Sequence, residues 1–335
     1  MKRALCFILR GLACLPLAIA LLWAFGALHY DFPILHGALA WIFVLSILAV
    51  LVFVPGFWKK AGSLLLACIL VLSFWLTLRP RDDRNWQADV AQRAWAEING
   101  DEVTLHNVRN CDYRTETDYT PHWETRTVRL SQLTGVDIAI TYWGSPWISH
   151  PIVSFQFADA SPLCFSIEAR KEIGESYSAI GGFYRQYELI YVVADETDVI
   201  RLRTNYRQCE DVYLYRFAMT ATQARKRFLE YLRSLNALQS HPRWYNALTT
   251  NCTTSIREQR AAAERLPWDW RLLANGKGDE LLFARGMLVT AGLPFAELKR
   301  RSLINERAKA APARADFSSA IRVGGPGFEQ RETTR

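Results

Sequence analysis

The chain has 335 residues, half of them hydrophobic, and carries 40 Lys and Arg against 33 Asp and Glu, a formal net charge of +7. The excess is not a nucleic-acid signal. Residues 1–80 hold six basic residues and one acid, so residues 81–335 carry only +2, with no cluster of basic and aromatic side chains to make a nucleic-acid surface.

Three N-terminal stretches lack Asp, Glu, Lys and Arg: Gly11–His29, Leu35–Phe57 and Ala61–Leu78. Each approaches the roughly 20 residues that cross a bilayer core as a helix. A cleaved signal peptide would account for the first alone, so three transmembrane helices are predicted. Lys2, Arg3 and Arg10 precede the first stretch, Lys59 and Lys60 separate the second from the third, and Asp31 lies in the intervening loop. Positive charge inside puts the N-terminus in the cytoplasm and the C-terminal part outside, although Arg79, Arg81 and Arg84 run against that bias. The stretches contain no charged residue, which argues against a channel or transporter.

Beyond a polar linker at Pro80–Asn85, Trp86–Asn99 reads as a helix ending at Gly100. β-like runs follow at Val103–Arg109, Thr125–Leu130, Val136–Trp143, His150–Phe157, Cys164–Ala169, Leu189–Val193, Val199–Arg203 and Val212–Phe217. Helices are predicted over Ala221–Leu238, from Cys252 to before Pro267, and over Asp279–Ala291. In the first of these, Ala221, Ala224, Phe228, Leu232, Leu235 and Leu238 share one face. The last 30 or so residues read as partly extended or mobile. The expected organisation is a membrane anchor over 1–80, an exported α+β domain over 81–325 and a mobile tail over 326–335.

Seven cysteines divide along the same line. Cys6, Cys14 and Cys68 lie in or beside the apolar stretches, where a thiol acts as a small hydrophobe. Cys111, Cys164, Cys209 and Cys252 lie in the exported part, where oxidation allows three complete pairings. There is no CxxC and no metal-ligand histidine spacing, so neither a metal nor another cofactor is expected.

Two segments carry chemistry. Trp147-Ile-Ser-His150-Pro-Ile-Val-Ser-Phe-Gln-Phe157 opens an alternating strand with a histidine, and Trp244-Tyr-Asn-Ala-Leu-Thr-Thr-Asn251-Cys252-Thr-Thr254 sets a cysteine behind an N-cap residue. His150, Ile152, Ser154 and Gln156 share one strand face. In the next run Cys164, Ser166 and Glu168 share a face opposite Phe165 and Ile167. Matching apolar faces through a turn centred on Asp159 sets Val153 opposite Phe165 and Glu168 opposite His150; a slip of two residues would set Ile152 opposite Glu168. A helix start favours the Cys252 thiolate and supplies N–H donors for an oxyanion. Cys252 is then the candidate nucleophile, His150 the base and Glu168 the orienting group. The plainer readings are a disulfide from Cys252 to Cys209 or Cys111, a surface or capping His150, and a Glu168–Arg170 pair.

His150-Pro-Ile-Val-Ser-Phe-Gln-Phe, Phe165-Ser-Ile-Glu168-Ala-Arg170-Lys-Glu172, Tyr184-Arg-Gln-Tyr-Glu-Leu-Ile-Tyr-Val-Val-Ala-Asp195-Glu, Asp211-Val-Tyr-Leu-Tyr215, Tyr245-Asn246 with Asn251-Cys252-Thr-Thr254, and Ile304-Asn-Glu-Arg307 resemble the DUF4105 family, also called the Lnb N-terminal periplasmic domain family. The resemblance spans about Asp83 to Arg322. It implies a circularly permuted papain-like (NlpC/P60-like) thiol fold behind the three transmembrane helices, with Cys252, His150 and Glu168 at the catalytic positions. Family members include bacterial lipoprotein N-acyltransferases that work through a cysteine thioester. The expected location is the bacterial inner membrane, with the exported domain in the periplasm. Three N-terminal spans and the lack of a large C-terminal membrane region set this chain apart from those acyltransferases, and a shared fold does not fix the reaction.

The functional expectation is cysteine-dependent acyl transfer on a membrane lipid or lipoprotein. A peptidoglycan peptide amidase and a non-catalytic envelope scaffold are the rivals. Trp123, Arg126, Trp143 and Trp147 are candidates for a groove or for ordinary packing. Tyr245 and Asn246 are expected to shape the nucleophile loop, Ser154 shares the His150 face, and Arg109 with Asp112 is either a substrate contact or an ion pair. No feature of the sequence sets an oligomeric state.

Overall fold

A computed structural model describes residues 2–32, 37–265, 267–311 and 317–328. It divides into two compact units. One is Met1–Arg84 with Glu175–Glu188 and Trp244–Ala247; the other is Asn85–Gly174 with Leu189–Arg243 and Leu248–Arg335.

The first unit holds helices α1 (Lys2–Tyr30), α2 (Ala38–Phe53) and α3 (Phe57–Thr77). Within them, Leu9–Tyr30 and Phe57–Thr77, of 22 and 21 residues, are long and apolar enough to cross a membrane. The middle helix corrects the sequence reading. Its 16 residues rise only about 24 Å, short of a hydrocarbon core of about 30 Å. Two helices qualify as spans, not three, and the predicted start of the second at Leu35 lies outside the described residues. Lys59 and Lys60 sit inside the first turn of α3 rather than before it. Only 17% and 11% of the two spanning windows is buried, unlike the core helix of a water-soluble domain. Trp23 and Trp75 meet edge to face at 5.4 Å, and the Trp75 indole N–H donates to Asp31 at 2.6 Å. Arg185 lies over the Trp75 ring and caps the α3 end through the carbonyls of Trp75 and Leu78.

The second unit is built on a mixed sheet. In chain order its strands are β1 (Trp95–Asn99), β2 (Glu102–Arg109), β3 (Asp112–Tyr113), β4 (Tyr119–Thr120), β5 (Trp123–Arg129), β6 (Leu133–Trp143), β7 (Ser149–Phe157), β8 (Leu163–Arg170), β9 (Glu188–Ala194) and β10 (Glu210–Arg216). The sheet order is β1-β2-β9-β8-β7-β6-β10, with β5 on β2 and β3-β4 as a separate pair. β2 and β9 run parallel, and β6, β7 and β8 are antiparallel neighbours.

Each sheet face buries a different layer. On one, α5 (Ala221–Ser240) packs Phe228 and Tyr231 against Phe155 and Phe165, with centroids 4.9–5.9 Å apart. Thr220 and Gln223 close a capping box at its start, and Ala221, expected on the buried face, is exposed there. On the other face, Ala139, Ile152, Cys164, Val192 and Leu214 form a core with α4 (Glu196–Arg201) and the C-terminal residues Ile304, Ala308, Phe317 and Ile321.

Three segments differ from expectation. Trp86–Asn99 is not a helix: Gly100 has φ +64 and turns β1 into β2 with Asn99 opposite Glu102, so Asn-Gly is a hairpin signal here rather than a helix end. Val199–Arg203 is not a strand. Glu196 and Asp198 put acids in the first turn of α4, which favours a helix start, and a π-helical turn follows at Leu202–Tyr206. The described part of the C-terminal region is largely helical: α8 (Phe295–Ser302), α9 (Asn305–Lys309) and α10 (Phe317–Ala320) belong to the second unit, after a short α7 (Gly278–Ala284) that ends before the predicted Ala291. Phe328 lies over Arg216 and Arg322; residues 329–335 of the expected tail lie outside the described residues.

Candidate active site

The apolar-face argument places β7 on β8 with Val153 opposite Phe165 and Ile152 opposite Ser166. His150 and Glu168 are the next positions of that register. Their side chains do not touch directly. His150 Nε2 is 2.7 Å from Ser166 Oγ, and Ser166 Oγ donates to Glu168 Oε1 at 2.7 Å, while Nε2 and Oε1 are 3.8 Å apart. A hydroxyl has one proton to give. Ser166 gives it to the carboxylate, so Nε2 donates to Ser166 and Nδ1 is left as the basic nitrogen. Ser166 thus relays the orientation that the sequence reading assigned to Glu168 alone.

Arg203 completes this cluster, 3.6 Å from Glu168 and 3.2 Å from Glu210. Burial, and then the Arg203 charge, push the His150 imidazole down to about 3. Burial works against the Glu168 anion, but its positive surroundings win and hold the carboxyl below its usual range, with Arg203 the fixed cation beside it. The imidazole is neutral at rest. Glu168 pairs with Arg203 and not with Arg170, whose guanidinium bonds the carbonyls of Val90 and Ala91 over the Trp86 ring.

Cys252 opens α6 (Cys252–Glu258). Asn251 accepts from the Thr254 N–H, and Thr254 Oγ1 accepts from the Asn251 N–H, closing the predicted cap on both sides. The thiol is buried and free; Cys111 and Cys164 are likewise buried and free and Cys209 is exposed and free, so the disulfide readings find no bond here. Burial raises its pKa, against the expected lowering; Thr253, its own and the Thr253 backbone N–H, and the nearby Asn275 amide pull the other way without prevailing. Asn275 is itself clamped, donating to the Ser149 carbonyl at 2.8 Å and accepting from the Ser149 N–H at 3.0 Å.

Strand alternation decides how the two halves stand. Ser154, on the His150 face of β7, donates to Glu196 of α4. Ser149, Pro151 and Val153, on the other face, line a cavity with Thr253 and Ile256 of α6. His150 therefore points to the α4 side and its chain neighbours to the α6 side. Among the described residues, no hydrogen bond or ion pair joins the Cys252 thiol to His150.

The remaining predicted positions make other contacts. Ser154 belongs to a buried network in which Arg322 binds Glu196 and Asp137. Arg109, 2% exposed, forks onto Asp198 at 2.7–3.2 Å, so it is an ion-pair residue whose partner is Asp198 rather than Asp112. Arg126 pairs with Asp195 and Glu124. Trp147 is exposed beside Lys277 and Trp270. Tyr245 and Asn246 belong to the first unit, with the Tyr245 and Tyr177 hydroxyls 3.2 Å apart and Asn246 donating to the Phe183 carbonyl. Ser166 was visible as a residue on the His150 face. Arg203 was hidden by the strand reading of its segment. Asn275, at the start of a short 3-10 turn, had no signal.

No curated protein and no solved structure matches this chain. A family model does: the Lnb N-terminal periplasmic domain matches residues 119–276, a segment holding His150, Ser166, Glu168, Arg203, Cys252 and Asn275. With two apolar N-terminal helices, this fits a membrane-anchored, envelope-associated protein with a periplasmic domain. Over residues 119–276 the chain matches the Lnb N-terminal periplasmic domain family.

Proposed function

We propose that the protein is an inner-membrane enzyme whose permuted papain-like periplasmic domain transfers acyl groups through Cys252. The observation that carries this reading is a free cysteine at a doubly capped helix start, with backbone N–H groups at its sulfur, beside an apolar cavity. In the first half-reaction the Cys252 sulfur bonds to an ester carbonyl carbon, the ester C–O bond breaks, and the thiol proton leaves with the alcohol. In the second an amine attacks the thioester, the C–S bond breaks, and the amine proton returns to sulfur. The N–H groups of Cys252 and Thr253 suit the oxyanion. His150 Nδ1 is the proton carrier, steered through Ser166 and Glu168. It must reach the thiol when substrate is bound, since the resting imidazole bonds on the α4 side.

The scaffold reading draws support from two observations: the raised thiol pKa and the separate hydrogen bonding of thiol and imidazole. The purified full chain in detergent, given a diacylated lipopeptide, a phospholipid and muropeptides, decides among the readings. Acyl release or transfer lost in Cys252→Ser is the expected result. Product from muropeptides alone makes the protein an amidase. No product, with Cys252→Ser fully functional in cells, leaves the scaffold.

A further inference from the structure

The α6 side of the sheet has a cavity of about 150 Å³, floored by Val136, Ile138, Ile140, Pro151 and Val153. That aliphatic floor favours an apolar guest. Its rim is unusual for an apolar site. Arg227, Arg257, Arg260, Arg271 and Arg285 all line it, and among the described residues its lining contains no Asp or Glu. Arg227 is held by Glu230, and Arg271 and Arg285 by Asp269. Arg260 is half-buried, and its guanidinium has no hydrogen bond or ion pair among the described residues. Its nearest acids are already engaged, Glu230 by Arg227 and Glu264 by Lys226. An apolar pocket does not need cations, and a half-buried guanidinium lacking an anion is costly. Apolar floor and cationic rim together suit one kind of ligand.

We propose that this cavity binds the head-proximal part of a single acyl chain carrying an anionic head, the first carbons of the chain on the β6–β7 floor and the head on Arg260. Thr253 and Asn275 line the cavity and also neighbour the Cys252 thiol, so the carbonyl end of the chain lies beside the proposed nucleophile. That last placement rests on the proposed function; the binding itself does not.

The test uses the full chain in a neutral detergent and equilibrium binding of four probes: lysophosphatidylglycerol, oleate, lysophosphatidylcholine and glycerophosphoglycerol. Lysophosphatidylglycerol and oleate should bind at least tenfold tighter than lysophosphatidylcholine, and the chainless headgroup at least tenfold more weakly than either. Preference for lysophosphatidylglycerol over oleate would identify the head as a phosphate, and the reverse as a carboxylate. Arg260→Gln should weaken the anionic probes about fivefold and leave lysophosphatidylcholine unchanged. Equal binding of the anionic and zwitterionic lipids, tight binding of the chainless headgroup, or an Arg260→Gln protein with unchanged preference each overturns the proposal. Head-selective binding without acylation of Cys252 upholds it while counting against acyl transfer. Acylation without head selectivity does the reverse.

Discussion

The neutral state of His150 has a measurable cost on acidification. Its side chain is 12% exposed, and burial with the Arg203 charge pushes the imidazole down to about 3. An unfolded histidine titrates near about 6.5. Above that pH both states hold a neutral ring and His150 contributes nothing to the pH dependence. Below it the unfolded chain takes up a proton that the folded chain refuses. Stability then falls by up to about 1.36 kcal/mol per pH unit, or about 2.3 kcal/mol between pH 6.5 and 4.5. Glu168 has a depressed folded pKa, so its contribution is present above the unfolded carboxyl value and is lost only as the pH falls below about 4.3. The window from 6.5 to 4.5 therefore belongs to the imidazole. Urea unfolding of the full chain in micelles, followed by tryptophan fluorescence at half-unit steps, gives the free energy at each pH. Subtracting the His150→Gln variant cancels every group common to both proteins. The difference should grow as pH falls through this window. A flat difference, or one of opposite sign, would show that the folded imidazole carries a proton, as it would opposite a resting thiolate.

Other consequences are local. Ser166→Ala removes the relay and a buried hydrogen bond to a carboxylate, and should lower the unfolding free energy by about 1.5–3 kcal/mol in the same assay; no loss would mean that His150 and Glu168 meet without it. At pH 7 iodoacetamide should label Cys252, buried with its thiol pKa raised, more slowly than exposed Cys209. The reverse order, read by peptide mass spectrometry, would reveal an activated thiol. Gly26→Ala would drive a Cβ into the Tyr184 hydroxyl, so it should lower the melting temperature. The Gly26→Ala/Tyr184→Ala double variant should show no further loss; additive losses would mean that the two residues are apart.

The sequence was most readable where one periodicity ruled. Alternation in β7 and β8 set their register, because a slip of one residue would turn Val153 and Phe165 out of the aromatic layer under α5. The Asn251 cap was legible because capping is local chemistry. Segments failed where one signal serves two structures. Asn99-Gly100 ends helices and also turns hairpins, and Val199-Ile-Arg-Leu202 suits a buried strand as well as a short buried helix. The site was half visible. Residue spacing joined His150 to Glu168 across one hairpin, but which face meets α6 depends on packing between distant segments. Asn275 enters through such packing, clamped to Ser149 across the chain.

Trapping the acyl-enzyme tests the central claim most directly. The full chain is incubated with a diacylated lipopeptide, quenched in acid, digested and read by mass spectrometry. The account predicts an acyl mass on the Cys252 peptide that hydroxylamine removes, that Cys252→Ser lacks and that His150→Ala sharply reduces. An unmodified Cys252 peptide in a protein that still processes the lipopeptide would contradict it.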